Sequence, residues 1–405
     1  MKMNLIPRPQ YIDHIVRLLD KDVMLFLIGQ RRVGKSYLLR LLKEWLTANI
    51  EGANVVYINK EYEISDEITD AASLYRYAAD RLPEGGRNYL LIDEVQDIDN
   101  YENALRSLHA ESRCQIIATG SNAYVFSTEL GTRLAGRYIE IPVYSLSYRE
   151  FLDFRGIEDS DRSILDYLRV GGLPGLMHFD ISDESQVRDY LYGVYNTVML
   201  QDVIAREGIR NVRFIKNLCV YTADNIGKLF SIRNIGNVMK AQGENVTPGL
   251  TASYLDYLRN AFLLREVPRY DIHGKKLFES ICKYYFSDNG LRNLLCGFNL
   301  RGSIEKVIEN VIYIHLLRSG YEVSVGILRA SEIDFVATRG SSTLYVQATY
   351  LLASAETVER EFGNLAAIRD NYPKYVVSMD PVSGELSEYP GIHHIHLRDF
   401  LLSDL

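Results

Sequence analysis

Long apolar runs are missing from this chain. No segment of its 405 residues approaches the ~18–20 uninterrupted apolar residues that a membrane-spanning helix needs. Cysteine is scarce: Cys114, Cys219, Cys282 and Cys296 are widely scattered and form no CxxC pair. That excludes a disulfide scaffold and predicts buried free thiols in a reducing compartment. The eight histidines show no ligand spacing, so zinc is not expected. Basic charge is not in excess either. A net charge of −8 excludes a surface that binds nucleic acid everywhere, though not a local basic face. Fixed-period repeats and low-complexity tracts are absent. The opening MKMNLIPRPQ has two prolines and no apolar signal core. These absences predict a cytoplasmic globular protein of two to three domains, with no membrane partner.

What is present begins with an alternation of strands and helices over residues 1–150. The stretches 23–29, 54–59, 88–93, 113–120 and 137–143 are short, apolar and bounded by turn residues, with helical runs such as 35–50 between them. This rhythm predicts a parallel sheet covered by helices on both faces. Ligands then bind beyond the carboxyl ends of the strands.

The strongest motif is Gly29-Gln30-Arg31-Arg32-Val33-Gly34-Lys35-Ser36, followed by Tyr37. It fits G-x4-G-K-[ST] and lies between an apolar strand and an amphipathic helix, as a phosphate-binding loop requires. The glycines let the backbone wrap a phosphate with its N–H groups inward. The helix N-terminus adds positive potential. Lys35 supplies a point charge to the β- and γ-phosphates, and Ser36 coordinates Mg²⁺. Residues 29–37 are therefore the expected ATP site, with Arg31 and Arg32 facing solvent or a neighbour.

Tyr89-Leu90-Leu91-Ile92-Asp93-Glu94 is a buried strand ending in two acids. Asp93 is expected in the Mg²⁺ shell, and Glu94 as the base that polarises the attacking water. Thr119, Ser121 and Asn122 end the next apolar strand. One of them is expected to sense the γ-phosphate, unless the segment is only a polar turn with a capping role. Arg137, and less so Arg133, are candidates for stabilising transition-state charge, in cis or from a neighbouring subunit of a homo-oligomer.

Beyond residue 150 the pattern turns helical, broken by Gly171-Gly172-Leu173-Pro174-Gly175. Residues 211–285 then read as three helices and a β-hairpin, the outline of a winged helix. They carry eleven Lys or Arg against six Asp or Glu, which points to DNA phosphates or to protein docking. Arg259, Arg265, Arg269, Lys275 and Lys276 are the candidate DNA contacts, the last two at the wing turn.

Taken together, GQRRVGKS (29–36), LLIDEVQ (90–96), ATGSNA (118–123), LAGRYIEIPVYSLSYREF (134–151), GGLPG (171–175), KYYFSDNGLRN (283–293) and EIDFVAT (332–338), with Pro7-Arg8 near the start, resemble the prokaryotic AAA+-type ATPases that carry a C-terminal DUF4143 region. The resemblance covers nearly the whole chain. It implies an α/β P-loop NTPase core (1–150) with a helical lid (151–210), a winged helix (211–288) and a restriction-endonuclease-like α/β module (289–405). It also points to adenine as the base, and the chain has no Asn-Lys-x-Asp guanine motif. In the last module Glu305 or Glu309 and Asp334 match two metal-binding positions of the nuclease fold. The third falls on Gln347-Ala348-Thr349, with neither acid nor lysine. A degenerate module is therefore expected.

The leading expectation is a Mg²⁺-dependent ATP hydrolase that uses Lys35, Ser36, Asp93 and Glu94. Two alternatives stand beside it: a slow nucleotide switch that recruits a protein partner, and an ATP-dependent nuclease.

Overall fold

The computed structural model describes residues 6–60, 65–123, 134, 136–241, 243, 244, 246–328, 331–381 and 383–405, with only the backbone at 278–280. The chain divides into two compact units, Met1–Val143 with Asn260–Phe262, and Tyr144–Arg259 with Leu263–Leu405.

In the first unit the order is α1 (Pro9–Leu18), β1 (Met24–Ile28), α2 (Lys35–Asn49), β2 (Asn54–Asn59), α3 (Ala71–Arg81), β3 (Asn88–Asp93), α4 (Tyr101–Ala110), β4 (Gln115–Gly120) and β5 (Tyr138–Pro142). The strands form one sheet in the order β2-β3-β4-β1-β5, and every pairing is parallel. Interior strands β1 and β3 are buried along their whole length, which is why they read as unbroken apolar runs. Burying each such side chain is worth ~1.5–3 kcal/mol. Helix α2 returns Leu38, Leu39, Leu42 and Leu46 to the core, a stripe at helical spacing. The carboxyl ends of β1, β4 and β3 therefore lie side by side.

The second unit begins with α5 (Tyr148–Arg155), α6 (Asp161–Val170) and α7 (Glu184–Thr197), which runs on into a π-helical stretch, Val198–Ala205. Then come α8 (Val212–Asp224), α9 (Ile232–Ala241), α10 (Pro248–Asn260) and the hairpin β6 (Leu264–Asp271) and β7 (Lys276–Phe286). The remainder is α11 (Asn289–Cys296), α12 (Ile304–Arg318), β8 (Glu322–Leu328), β9 (Ser331–Arg339), β10 (Ser342–Ala348), α13 (Ala355–Ala366), β11 (Lys374–Ser378), β12 (Gly384–Glu385), β13 (Ile392–His396) and α14 (Leu397–Leu402).

Three helices and a hairpin do follow one another, as the sequence predicts, but the hairpin is not a free wing. Strand β6 pairs in parallel with β8 through Arg269–Val325, Tyr270–Gly326 and Asp271–Ile327. The sheet order is β12-β13-β11-β10-β9-β8-β6-β7. The boundary expected at 288 thus falls between elements of one compact unit, because a strand edge left open by β8 is completed by an earlier hairpin.

Two of the family motifs pack into each other in this unit. The Asp288 carboxylate accepts the N–H groups of Gly172 (2.8 Å), Gly290 (2.8 Å) and Leu291 (3.3 Å). The Asn293 amide donates to the carbonyls of Leu168 and Arg169 that end α6. A Cβ on Gly172 would lie 2.4 Å from the Leu146 carbonyl oxygen. Only glycine permits that approach.

Candidate nucleotide-binding site

The loop after β1 is built by backbone constraints. Gly29 has φ +150°, and a Cβ there would meet the Val143 carbonyl oxygen at 2.2 Å. Gly34, at φ +100°, starts α2 in the left-handed region. Lys35 is buried, and its ammonium donates to the loop's own carbonyls, Gly29 at 2.8 Å and Gln30 at 3.0 Å. The positive charge therefore already sits inside the loop. Val33 is buried, and its carbonyl accepts from Arg8 Nη1 at 3.0 Å. Arg8 is buried as well and lies 4.6 Å from the centre of the Tyr11 ring. Arg32 is exposed with φ +69°, and Arg31 is half-buried.

Asp93 and Glu94 end β3 at the same edge. Thr119 donates to Asp93 Oδ1 at 2.7 Å and accepts the Glu94 N–H at 2.8 Å, so β4 braces both acids. Glu94 takes φ +54°, a conformation rare outside glycine. Burial pushes the Asp93 carboxyl up, opposed by hydrogen bonds from Thr119 and Ser36 and by the Lys35 charge. Burial also opposes the Glu94 charge. There Lys35, Arg31 and hydrogen bonds from Gln96 and Ser121 outweigh it and hold the carboxyl below its usual range. Glu94 is thus an ionised carboxylate at neutral pH, beside the loop's cations.

Lys35, Ser36, Asp93, Glu94, Thr119 and Ser121 lie together, and Asn122 is buried next to Ser121. Tyr37 is turned elsewhere: its hydroxyl donates to the Ile6 carbonyl at 3.1 Å. Arg137 does not reach the site within its own chain. Its carbonyl accepts the Met24 N–H, and β5 runs parallel to β1 with Met24 beside Tyr138 and Ile28 beside Pro142. Arg137 therefore stands at the amino end of the sheet, whereas the loop leaves from the carboxyl end. Arg133 lies outside the described residues. Arg8, Tyr57 and Gln96 complete the site without having been assigned a role from sequence. Tyr57 donates to Asp93 Oδ2 at 3.4 Å, and no local motif marks it.

The proposed DNA contacts do not form one free basic face. Arg259 pairs with Asp256 and Glu266, both at 2.7 Å, and Arg265 lies over the Tyr144 ring at 5.0 Å. Arg269 is on half-buried β6. Lys275 and Lys276, at the hairpin turn, are exposed, as is the ion-paired Arg259. In the last module Glu309 and Asp334 do come together, while Glu305 is exposed. Glu309 and Asp334 both meet the ammonium of Lys283, which comes from β7 and not from the strand at Gln347-Ala348-Thr349.

This geometry defines a P-loop nucleotide-binding protein of the AAA+ type. A family model described as an AAA domain matches residues 21–152. Residues 161–301 match a domain of unknown function, DUF8612, in place of the expected DUF4143 region. An uncharacterized protein of Haemophilus influenzae is 32% identical over 99% of this chain and 100% of its own length. Another, from Methanocaldococcus jannaschii, is 26% identical over 83% of this chain and 78% of its own. A Walker-type ATPase of Pyrococcus abyssi shares the fold, with a TM-score of 0.52 at 14% identity, over 73% of this chain and 97% of that one. The chain belongs to this family of P-loop AAA+-type ATPases. Among the described residues no helix is long and apolar enough to cross a membrane.

Proposed function

We propose that the protein is a Mg²⁺-dependent ATP hydrolase whose nucleotide state governs its second unit. The observation that carries this reading is the Thr119 hydroxyl bridging Asp93 and Glu94, beside a loop that already encloses the Lys35 ammonium. The residues suit the ligands. Ser36 and Asp93 are hydrogen-bonded hard oxygen donors of the kind Mg²⁺ prefers. Among the described residues neither amide atom of the buried Gln30 has a partner, so the loop holds polar groups still to be satisfied.

In this reading the backbone of residues 29–36 cradles the β-phosphate, and Lys35 shifts from its own carbonyls to the β- and γ-phosphates. Mg²⁺ held by Ser36 and Asp93 would supply neutralisation of the phosphate charge. Glu94 accepts a proton from the attacking water as its oxygen bonds to the γ-phosphorus. The bond from that phosphorus to the bridging oxygen breaks, giving ADP and phosphate. Four unpaired cysteines suit a reducing, cytoplasmic setting.

Steady-state phosphate release tests the reading. Multiple turnovers are expected in the wild type, lost in Glu94→Gln with binding kept, and lost together with binding in Lys35→Ala. No heat on titrating folded protein with magnesium and ATP would remove the proposal altogether.

The position of Arg137 favours a second reading, a slow switch in the isolated chain that turns over faster only when a neighbouring copy supplies an arginine. Turnover per chain that is independent of protein concentration would retire the oligomeric version. For DNA, the exposed Lys275 and Lys276 support only a weak contact. Binding at low salt that is unchanged in the double alanine variant would retire it.

A further inference from the structure

We propose that Lys283 is a protein-borne substitute for a divalent cation, filling from within the chain the seat formed by Glu309, Glu332 and Asp334 in the second unit. Lys283 comes from β7, and its side chain is 1% exposed. Its ammonium lies 2.7 Å from Glu309 Oε1, 2.8 Å from Glu332 Oε1 and 3.5 Å from Asp334 Oδ1. These carboxylates come from a helix, α12, and a strand, β9, so they converge through tertiary structure and not through a local turn. One ammonium stands among three carboxyl groups, and burial holds the Glu309 carboxyl up at about 7 even beside Lys283, so the seat gathers more acid than one positive charge keeps ionised. A doubly charged cation would match it better.

The surrounding contacts commit Glu309 and Asp334 to neighbours, while the Glu332 side chain is 35% exposed. Glu309 also accepts from the Tyr285 hydroxyl. Asp334 Oδ2 accepts the Ala348 N–H at 2.9 Å. Gln347, standing where a nuclease fold would place an acid, accepts the Asp334 N–H at 2.6 Å and donates to Glu361 at 2.9 Å. Gly227 passes so close that a Cβ there would lie 2.6 Å from Glu309 Oε2. Around the ammonium the three carboxylates are spread too far to hold a metal ion as they stand, and no group of three or more acidic, histidine or cysteine side chains among the described residues is arranged to do so. The inference is therefore a latent cation site kept shut by a lysine, in a module that works without a metal.

The test is Mn²⁺ titration of the nucleotide-free full chain, read by calorimetry and electron paramagnetic resonance, in an Asp93→Asn background that silences the loop. The background protein should bind no Mn²⁺ at this cluster. Lys283→Ala should bind it with a dissociation constant lower by about tenfold or more, and Glu309→Gln added to that variant should abolish the gain. If Lys283→Ala folds only when Mn²⁺ is supplied, the proposal is equally supported. A variant that folds but takes up no Mn²⁺, or stays unfolded at saturating Mn²⁺, overturns it. So does Mn²⁺ binding by the background protein that Glu309→Gln removes. Mn²⁺-dependent cleavage of plasmid DNA by wild type, lost in Lys283→Ala, would also overturn it, since the ammonium would then be working beside a metal.

Discussion

The Thr119 hydroxyl stands 2.7 Å from Asp93 Oδ1 and takes the backbone N–H of Glu94 at 2.8 Å. A single side chain on β4 thereby fixes both acids at the end of β3. This makes Thr119 a positioning residue for the acids. The sequence suggests a γ-phosphate sensor there, yet the hydroxyl is committed to its neighbours.

Thr119→Val should therefore lower turnover by about 10- to 100-fold, the effect of losing a hydrogen bond to a charged group worth ~1.5–3 kcal/mol. Thr119→Ser should keep most of it, and ATP affinity should change little. Phosphate release and calorimetry measure the two separately. Equal losses in the Val and Ser variants would argue against this role.

Arg8 acts on the loop from outside the motif, through the Val33 carbonyl. Arg8→Met should weaken nucleotide binding and destabilise the fold by ~1–3 kcal/mol, the range for a buried acceptor left unpaired. A thermal melt with and without ATP reads both effects. Unchanged affinity would mean that the loop keeps its shape unaided.

Asp288 satisfies three backbone N–H groups. Asp288→Ala should cost at least about 3 kcal/mol, since three buried donors lose their acceptor. Gly172→Ala should also destabilise, through the clash with the Leu146 carbonyl. Urea midpoints decide, and shifts of a few tenths of a molar or less in both variants would contradict the packing account.

His315 is buried in α12, with its Nε2 unpartnered among the described residues. Burial, then the nearby Arg318 charge, lowers its pKa to about 3. The unfolded chain takes up this proton near pH 6.5 and the folded chain only near 3, so stability present above 6.5 declines as pH falls between the two. The loss reaches about 5 kcal/mol at most, at 1.36 kcal/mol per pH unit. In urea titrations at pH 7 and pH 5, His315→Leu should flatten that slope. An equal slope in both proteins would assign the acid sensitivity elsewhere.

The nucleotide loop was legible because its chemistry is local: glycines, lysine and serine sit within eight residues, and an apolar strand leads into them. Asp93 and Glu94 were legible for the same reason, as acids at the exposed end of a buried strand. That Arg137 stands far from its own chain's loop was readable from the parallel sheet, since a residue that starts a strand lies at the end opposite the loop. Lys283 was invisible as part of a site. It lies in an apolar strand, and its partners are 26 to 51 residues away. The hairpin was legible from its turn, but its partner β8 was not, because pairing between distant strands leaves no periodic mark. GGLPG and SDNGLRN were recognisable as motifs, and their purpose emerged only when Asp288 met Gly172.

The ladder between β6 and β8 has a mechanical consequence. A hairpin tethered only at its base swings on its own, but one stitched into eight strands carries its neighbours along. A displacement of α10, which leads directly into the hairpin, would thus be passed to β8 through the Arg269–Val325, Tyr270–Gly326 and Asp271–Ile327 pairs.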